Sequence, residues 1–192
     1  MAFVPFDLKN LVYAPLLTDG EEGTTYGAVK YLAGAVDAKI NPNASTSVYY
    51  ANGGAAGSAT AKGAIEIELG IDALSKEVKA ELLGMEVDAN GVLLSSPDDR
   101  SRYVAIGFEA ETDDDGKDLY WFFKGRFEAP SGEFQSKSDK TDFKTGSIKG
   151  TFIKRASDNR DNAMVNSADK GIGVDVAKNW FTKVYDPANP TP

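Results

Sequence analysis

The segment from Lys62 to Ser95 changes its hydrophobic period, which predicts a strand, a short helix, a turn and a second strand. Leu74, Val78 and Leu82 have the i, i+4, i+8 spacing of one helical stripe. Because a helix of about two to three turns is marginal on its own, we expect this stripe to pack on a sheet. The preceding strand alternates apolar and polar residues, and its apolar positions are Ile65, Ile67, Leu69 and Ile71.

The ends of this helix carry recognisable local signals, which predict its limits at about residues 73–83. Asp72 or Ser75 can cap its first turn, and Gly84 can end it in the left-handed conformation. The pair Asn90-Gly91 then predicts a turn into the strand at Val92–Leu94.

Most of the remaining chain shows the period of β-strands separated by polar turns. Val104, Ile106 and Phe108 alternate with smaller or polar residues, which predicts a half-buried strand. The strand that begins at Leu119 carries aromatic residues on both faces, so we expect part of its second face to be covered. The pattern also predicts three short strands before them, at 11–13, 29–32 and 48–50.

Together these elements predict one domain that is mainly β, a β-sandwich or β-barrel-like fold with one short flanking helix, a long loop and a C-terminal arm. The loop, Asn52 to Gly63, has little to pack and is either mobile or a strand extension that orders against a partner. The segment from Val176 to Tyr185 is apolar and aromatic, so it either closes its own sheet or docks on a neighbour.

Composition excludes several kinds of chemistry. The 192 residues include no cysteine and no histidine, which rules out disulfides, thiolate chemistry and serine–histidine catalysis. A net charge of −8 opposes a tight grip on nucleic acid phosphates. We find no apolar run of membrane-spanning length and no secretory pattern at the start, so we expect synthesis in the cytoplasm without a membrane partner.

The candidate sites for chemistry are weak. We therefore expect no catalysis, no cofactor and no bound metal. Residues 113–116, DDDG, lack the alternating ligands and the final glutamate of an EF-hand. Glu66 and Glu68 could form a carboxylate pair, although a solvated strand face explains them better. Aromatic residues that could stack on a sugar or a base, but are more often packed, are Tyr49, Tyr50, Tyr120 and Trp121.

The order of segments along nearly the whole chain resembles the major tail protein, or tail-tube protein, of long-tailed bacteriophages of Gram-positive hosts. The segments that carry this resemblance are LKNLVYAPL, YGAVKYLAGAVDAKINPN, IEIELGIDALSKEVKAELLGMEVDANGVL, RYVAIGFEAET, LYWFFKGRFEAPSGEFQSKSDKTDFKTGSIKGTF and NWFTKVYDP. None of them is a catalytic fingerprint, and their order and spacing make the match specific.

The resemblance implies a structural virion protein: a β-sandwich flanked by one helix that assembles into hexameric rings, which stack into the tail tube through which the genome is ejected. The expected partners are the chain itself and the tape measure, tail terminator and distal tail proteins, and DNA passes through the lumen without specific binding. Residues 1–192 would form a single tail-tube domain, with an inter-subunit loop at about 42–63 and a C-terminal arm at about 157–192.

The resemblance also suggests which residues meet other molecules. The expected inter-subunit contacts are Tyr49, Tyr50, Asn52, Gly53, Gly54, Trp180, Phe181, Val184 and Tyr185. An acidic lumen would let polyanionic DNA slide without sticking, and the candidate lining residues are Glu66, Glu68, Glu109 and Glu111. An alternative from another class is a monomeric β-sandwich module that binds a ligand such as carbohydrate through Tyr120 and Trp121.

Overall fold

The computed structural model describes residues 5–51, 54–113, 116–130, 146–169 and 171–187. These residues form a mainly β structure with antiparallel pairing and two short helices, which confirms the predicted fold class. The elements are β1 (Pro5–Gly20), β2 (Gly23–Tyr26), β3 (Lys30–Tyr31), β4 (Ala35–Ala51), β5 (Gly54–Ile71), α1 (Lys76–Leu83), β6 (Glu86–Val87), β7 (Leu93–Leu94), β8 (Val104–Thr112), β9 (Lys117–Phe127), β10 (Gly146–Ile153), β11 (Asn162–Asn166) and α2 (Val174–Asn179).

One sheet contains most of the strands, in the order β2, β1, β8, β9, β10, β5 and β4. Strand β3 also pairs with β1, strand β11 pairs with β9, and β6 and β7 form a separate hairpin. Strands β1 and β5 contribute to the same hydrophobic core although three strands lie between them in the sheet. The sheet therefore curves around this core, which gives the molecule its sandwich-like character.

Helix α1 covers the main core as the sequence predicts, but it begins at Lys76 and not at residue 73, so Leu74 packs against the core from the segment before the helix. The Ser75 side chain accepts a hydrogen bond from the backbone N–H of Val78, and Gly84 ends the helix with φ at 72°. A Cβ at Gly84 would lie 2.3 Å from the carbonyl oxygen of Arg100, so the position needs glycine for space as well as for its dihedral angle. Val78 and Leu82 are buried, as their spacing indicates.

A polar contact holds α1 to the sheet. The hydroxyl of Tyr13 on β1 donates a hydrogen bond to the Glu81 carboxylate, and the same carboxylate pairs with Lys30 at 2.8 Å. Burial and the hydrogen bond to Glu81 raise the pKa of Tyr13, so the phenol stays protonated and remains a donor at neutral pH.

The second face of the sheet is also covered, by the C-terminal segment. Trp180 and Val184 are buried against Trp121 and Phe123 of β9, and the indole N–H of Trp121 donates to the carbonyl oxygen of Trp180 at 2.9 Å. The strand at 104–112 is consequently buried on both faces, which corrects the expectation of a half-buried strand. Gly107 leaves room for this packing, because a Cβ there would lie 3.0 Å from Trp121 and 3.1 Å from Phe181.

This packing corrects the prediction that Trp180 and Val184 contact a neighbouring subunit, whereas Phe181 and Tyr185 are only partly buried and their predicted contacts stay a prediction. Trp180 and Val184 are buried within their own chain, the Trp180 ring stacks on Tyr185 at 5.0 Å, and Phe181 lies 5.9 Å from the Trp121 ring. Within the predicted arm at 157–192, the described residues include β11, which pairs with β9, and helix α2. The physical reason is that the aromatic second face of β9 needs a cover, and this segment supplies it.

Buried ion pairs hold the turn between β10 and β11. Arg155 is buried, pairs with Asp158 and lies 3.9 Å above the Phe123 ring. Asp19 of β1 accepts hydrogen bonds from Lys124 at 2.6 Å and from the backbone N–H of Ala156 at 2.9 Å. Burial alone would raise the pKa of the Asp19 carboxyl, but these hydrogen bonds hold it below its ordinary value.

If Trp180 belongs to the core of its own chain, Trp180→Ala should lower the free energy of unfolding by about 3–5 kcal/mol, because a buried aromatic side chain is removed and a cavity remains. Urea denaturation at low protein concentration measures this change. Tyr50→Ala is the matched control, since Tyr50 is 73% exposed and should cost less than about 0.5 kcal/mol. Equal midpoints for the two variants would show that Trp180 does not stabilise the isolated chain.

Candidate functional site

Strands β4 and β5 continue past the rest of the sheet as a projecting hairpin, which we call the arm and define as residues 44–62. Strand β10 stops pairing with β5 at Ile65, whereas β4 and β5 stay paired from Ala44 and Lys62 to Ala51 and Gly54. Residues 44–50 and 54–62 are all exposed. At about 3.4 Å per residue the arm extends roughly 24 Å from its base.

The arm corrects the prediction of a loop at about 42–63. The described residues of that range are extended and paired antiparallel, with register shifts between Pro42 and Ala44 and between Tyr49 and Tyr50. A run that contains threonine, valine and tyrosine suits a pleated strand. Of the predicted contacts in this range, Tyr49 and Tyr50 lie on β4, and Gly54 is the first residue of β5. Asn52 and Gly53 lie outside the described residues.

The base of the arm is marked by an irregularity in the ladder. The register shifts between Pro42 and Ala44, and a Cβ at Gly63 would lie only 2.6 Å from the carbonyl oxygen of Asn43. Glycine therefore permits the close approach of the two strands here. Bulges of this kind bend a hairpin and set the direction in which it leaves the sheet.

The arm consists mainly of small and uncharged residues. No charged residue occurs between Ile40 and Ala61, and most side chains are small. Across the arm, the hydroxyls of Thr46 and Thr60 lie 3.0 Å apart. No described strand pairs with the outer edge of β4 or with β5 before Ile65, so backbone donors and acceptors line both edges of the arm. Apart from Lys62 at its base, the arm has no charged residue that would oppose the addition of another strand.

The tip of the arm exposes an apolar and aromatic group that consists of Val48, Tyr49 and Tyr50. Their exposed fractions are 44%, 65% and 73%. Gly57 faces Tyr49 across the ladder, and the ring edge lies 3.1 Å from the place where a Cβ of Gly57 would be, so the ring lies over the backbone of β5. Alternation along the strand places the two tyrosines on opposite faces of the arm.

The four acids predicted to line a lumen occupy different environments. Glu66 is exposed, and Glu68 lies between Lys39 and Lys149 on the neighbouring strands, so this face carries both signs of charge. The predicted acidic face is therefore a mixed one among the described residues. The remaining two acids, on β8, are engaged in ion pairs.

The two acids of β8 correct the prediction more directly. Glu109 is only 5% exposed and pairs with Lys117 at 2.9 Å, and the half-buried Glu111 pairs with Lys9 at 2.8 Å. The reason is that the second face of β8 is covered, which the alternation of this strand does not reveal. Glu109 is thus a structural residue of the subunit.

The stacking platform expected for a ligand-binding module is incomplete. The Trp121 ring is fully buried, and the Tyr120 ring stacks on Phe108 at a centroid distance of 5.1 Å. Among the described residues, the exposed aromatic side chains are Tyr31, Tyr49 and Tyr50. The aromatic surface therefore lies mainly at the tip of the arm.

Searches for other sites and for relatives gave no further candidate. The described part of the chain holds no group of three or more acidic side chains arranged to bind a metal ion. None of the described helices has the length and apolar character needed to cross a membrane. No protein-family model matches the sequence, and a search of curated proteins found no similar sequence.

Charge reversal at Glu109 and at Glu66 should affect the stability of the fold to different extents. Glu109→Lys should lower the free energy of unfolding by about 2–4 kcal/mol, because it places a second cation beside Lys117 in a buried position. Glu66→Lys should change it by less than about 0.5 kcal/mol, because its neighbours Asn41 and Thr151 are neutral. Urea denaturation of both variants tests this difference, and equal losses would contradict the assignment of Glu109 to the core.

Proposed function

We propose that the chain is a self-assembling structural subunit, the tail-tube protein of a long-tailed bacteriophage, which forms stacked rings that conduct the genome. The observation that carries this proposal is the arm. A two-stranded hairpin is marginally stable in water on its own, and the described residues of the arm are exposed along both strands. A monomer gains nothing from projecting uncharged edges and exposed tyrosines, whereas a subunit of an assembly buries them on its neighbour.

The arm can link copies into a ring or a tube, and the alternative is a dimer in which two copies exchange their arms reciprocally. The arm leads away from the body of its own subunit, so its contact with a neighbour joins two different surfaces. Such head-to-tail contacts close into a ring where the rotation permits, and they continue as a filament otherwise. The similarity to tail-tube proteins in the order of segments supports the ring, and the hexameric number rests on that resemblance alone.

The charge of the chain is compatible with a conduit for DNA. A net charge of −8 disfavours the release of counterions that drives tight binding to phosphates. A lumen must let the polyanion pass, so weak binding is the useful property. The face that carries Glu66 and Glu68 has mixed charges, and we assign no lining residue from it.

The rival function, a carbohydrate-binding module, loses its main support. Its proposed platform was the pair Tyr120 and Trp121, and the burial of Trp121 beneath the C-terminal segment removes the larger ring from any open surface. A carbohydrate-binding role also gives no function to the exposed arm.

Electron microscopy and light scattering at rising protein concentration test the proposal, with arm variants as probes. The unmodified chain should form rings or hollow tubes. Val48→Asp should stay monomeric, because a charge on the arm opposes its burial against a neighbour. Val92→Asp is the matched control on the β6–β7 hairpin, since Val92 is 50% exposed and Val48 is 44% exposed, and it should still assemble.

Circular dichroism of both variants verifies that the fold is retained. A chain that stays monomeric at every concentration would contradict the proposed function. Assembly of Val48→Asp that matches that of the unmodified chain would show that the arm is not the contact.

A further inference from the structure

We propose that the tip of the arm docks into an apolar groove at the base of the arm of a second copy. This inference rests on the proposed function, because it names the surface that receives the arm. The groove, of about 380 Å³, opens between β1, β4, β8 and β9, and its main apolar lining residues are Leu8, Val36, Ile40, Phe108, Ala110 and Tyr120.

The groove is an open extension of the main core. Phe108 is buried at its floor, and Leu8 and Tyr120 are partly buried and pack against the core. Val36 and Ile40 are 53% and 39% exposed, which is unusual for large aliphatic side chains so close to a core. An apolar occupant would complete the packing of these residues and remove their surface from water.

The arm cannot reach the groove of its own subunit. Ile40 lines the groove and Tyr50 lies at the tip, and both belong to the same extended strand. Ten residues separate them, so the tip lies roughly 34 Å from the groove. The tip that fills a groove therefore belongs to another copy, and repetition of this contact links subunits head to tail.

The chemistry of the tip matches that of the groove. Val48, Tyr49 and Tyr50 are apolar or aromatic and uncharged, and Tyr120 offers the tip a ring on which to stack. The groove volume lies in the range of sites that bury a small ligand, so it is large enough for a tyrosine side chain. Asp37 lines the groove as well, and its carboxylate can accept a hydrogen bond from a tyrosine hydroxyl of the tip.

Disulfide trapping can test whether the tip docks in the groove. Because the chain contains no cysteine, disulfides can form only between the cysteines that are introduced. A chain with Tyr50→Cys at the tip is mixed with a chain of different mass that carries Val36→Cys in the groove, under mild oxidation. A disulfide requires Cα atoms within about 7 Å, so only close docking yields a covalent heterodimer. Val92→Cys replaces Val36→Cys in the control mixture, because the two valines are 50% and 53% exposed.

We expect the tip and groove pair to give at least a tenfold higher yield of covalent heterodimer than the control pair. A single chain with both Tyr50→Cys and Val36→Cys should give a ladder of covalent oligomers and little intramolecular disulfide. Equal yields in the two mixtures would overturn the inference, and so would Tyr50→Cys homodimers as the dominant product.

The outcomes also separate this inference from the proposed function. Rings or tubes of the unmodified chain together with equal disulfide yields would refute the groove and leave the assembly role standing. Specific trapping by a chain that never forms rings or tubes would support tip-in-groove docking and contradict the role in a tube.

Discussion

The pairing of β4 with β5 is the interaction on which the rest of the structure depends. At one end of this hairpin, residues 65–71 pair with β10, and their alternate apolar side chains from Ile65 to Ile71 lie in the main core. At the other end, the same two strands project as the arm with every described side chain from 44 to 50 and from 54 to 62 exposed. Because the two halves share one ladder, the core holds the base of the arm in place and so limits where its tip can lie.

Coverage of both sheet faces explains why the arm is the distinctive surface. Helix α1 covers one face through Val78 and Leu82, and the C-terminal segment covers the other through Trp180 and Val184. The large aromatic residues of β9 are consequently packed within their own subunit. Exposed apolar groups then remain at the tip of the arm, in the groove at its base and on the β6–β7 hairpin, and singly at Leu17, Tyr31, Ile153 and Met164. Association between copies is a direct way to bury the first two.

Local signals in the sequence predict the local structure well, and non-local packing is where they fail. Val78, Leu82 and Gly84 act through contacts within or next to one helix, so the helix and its C-terminal end are predictable from the sequence. The aromatic residues of the C-terminal segment indicate that it packs on another surface. They do not indicate whether that surface belongs to the same chain, because this depends on the second face of β9. The C-terminal segment also covers the strand face that carries Glu109, although the segment and Glu109 are far apart in the sequence. The sequence predicts the arm only as one of two alternatives, a mobile loop or a strand extension, because its alanine, glycine and serine residues carry no hydrophobic period.

The central claim is that the arm exists to be buried by another copy, and amide hydrogen exchange tests it most directly. Exchange of the arm amides in residues 44–51 and 54–62 is measured at low concentration and again under assembling conditions. The account predicts fast exchange in the dilute chain and slow exchange in the assembled one, while the amides of Val104 to Phe108 stay protected in both. Arm amides that exchange fast at every concentration, or that are already protected in the monomer, would contradict it.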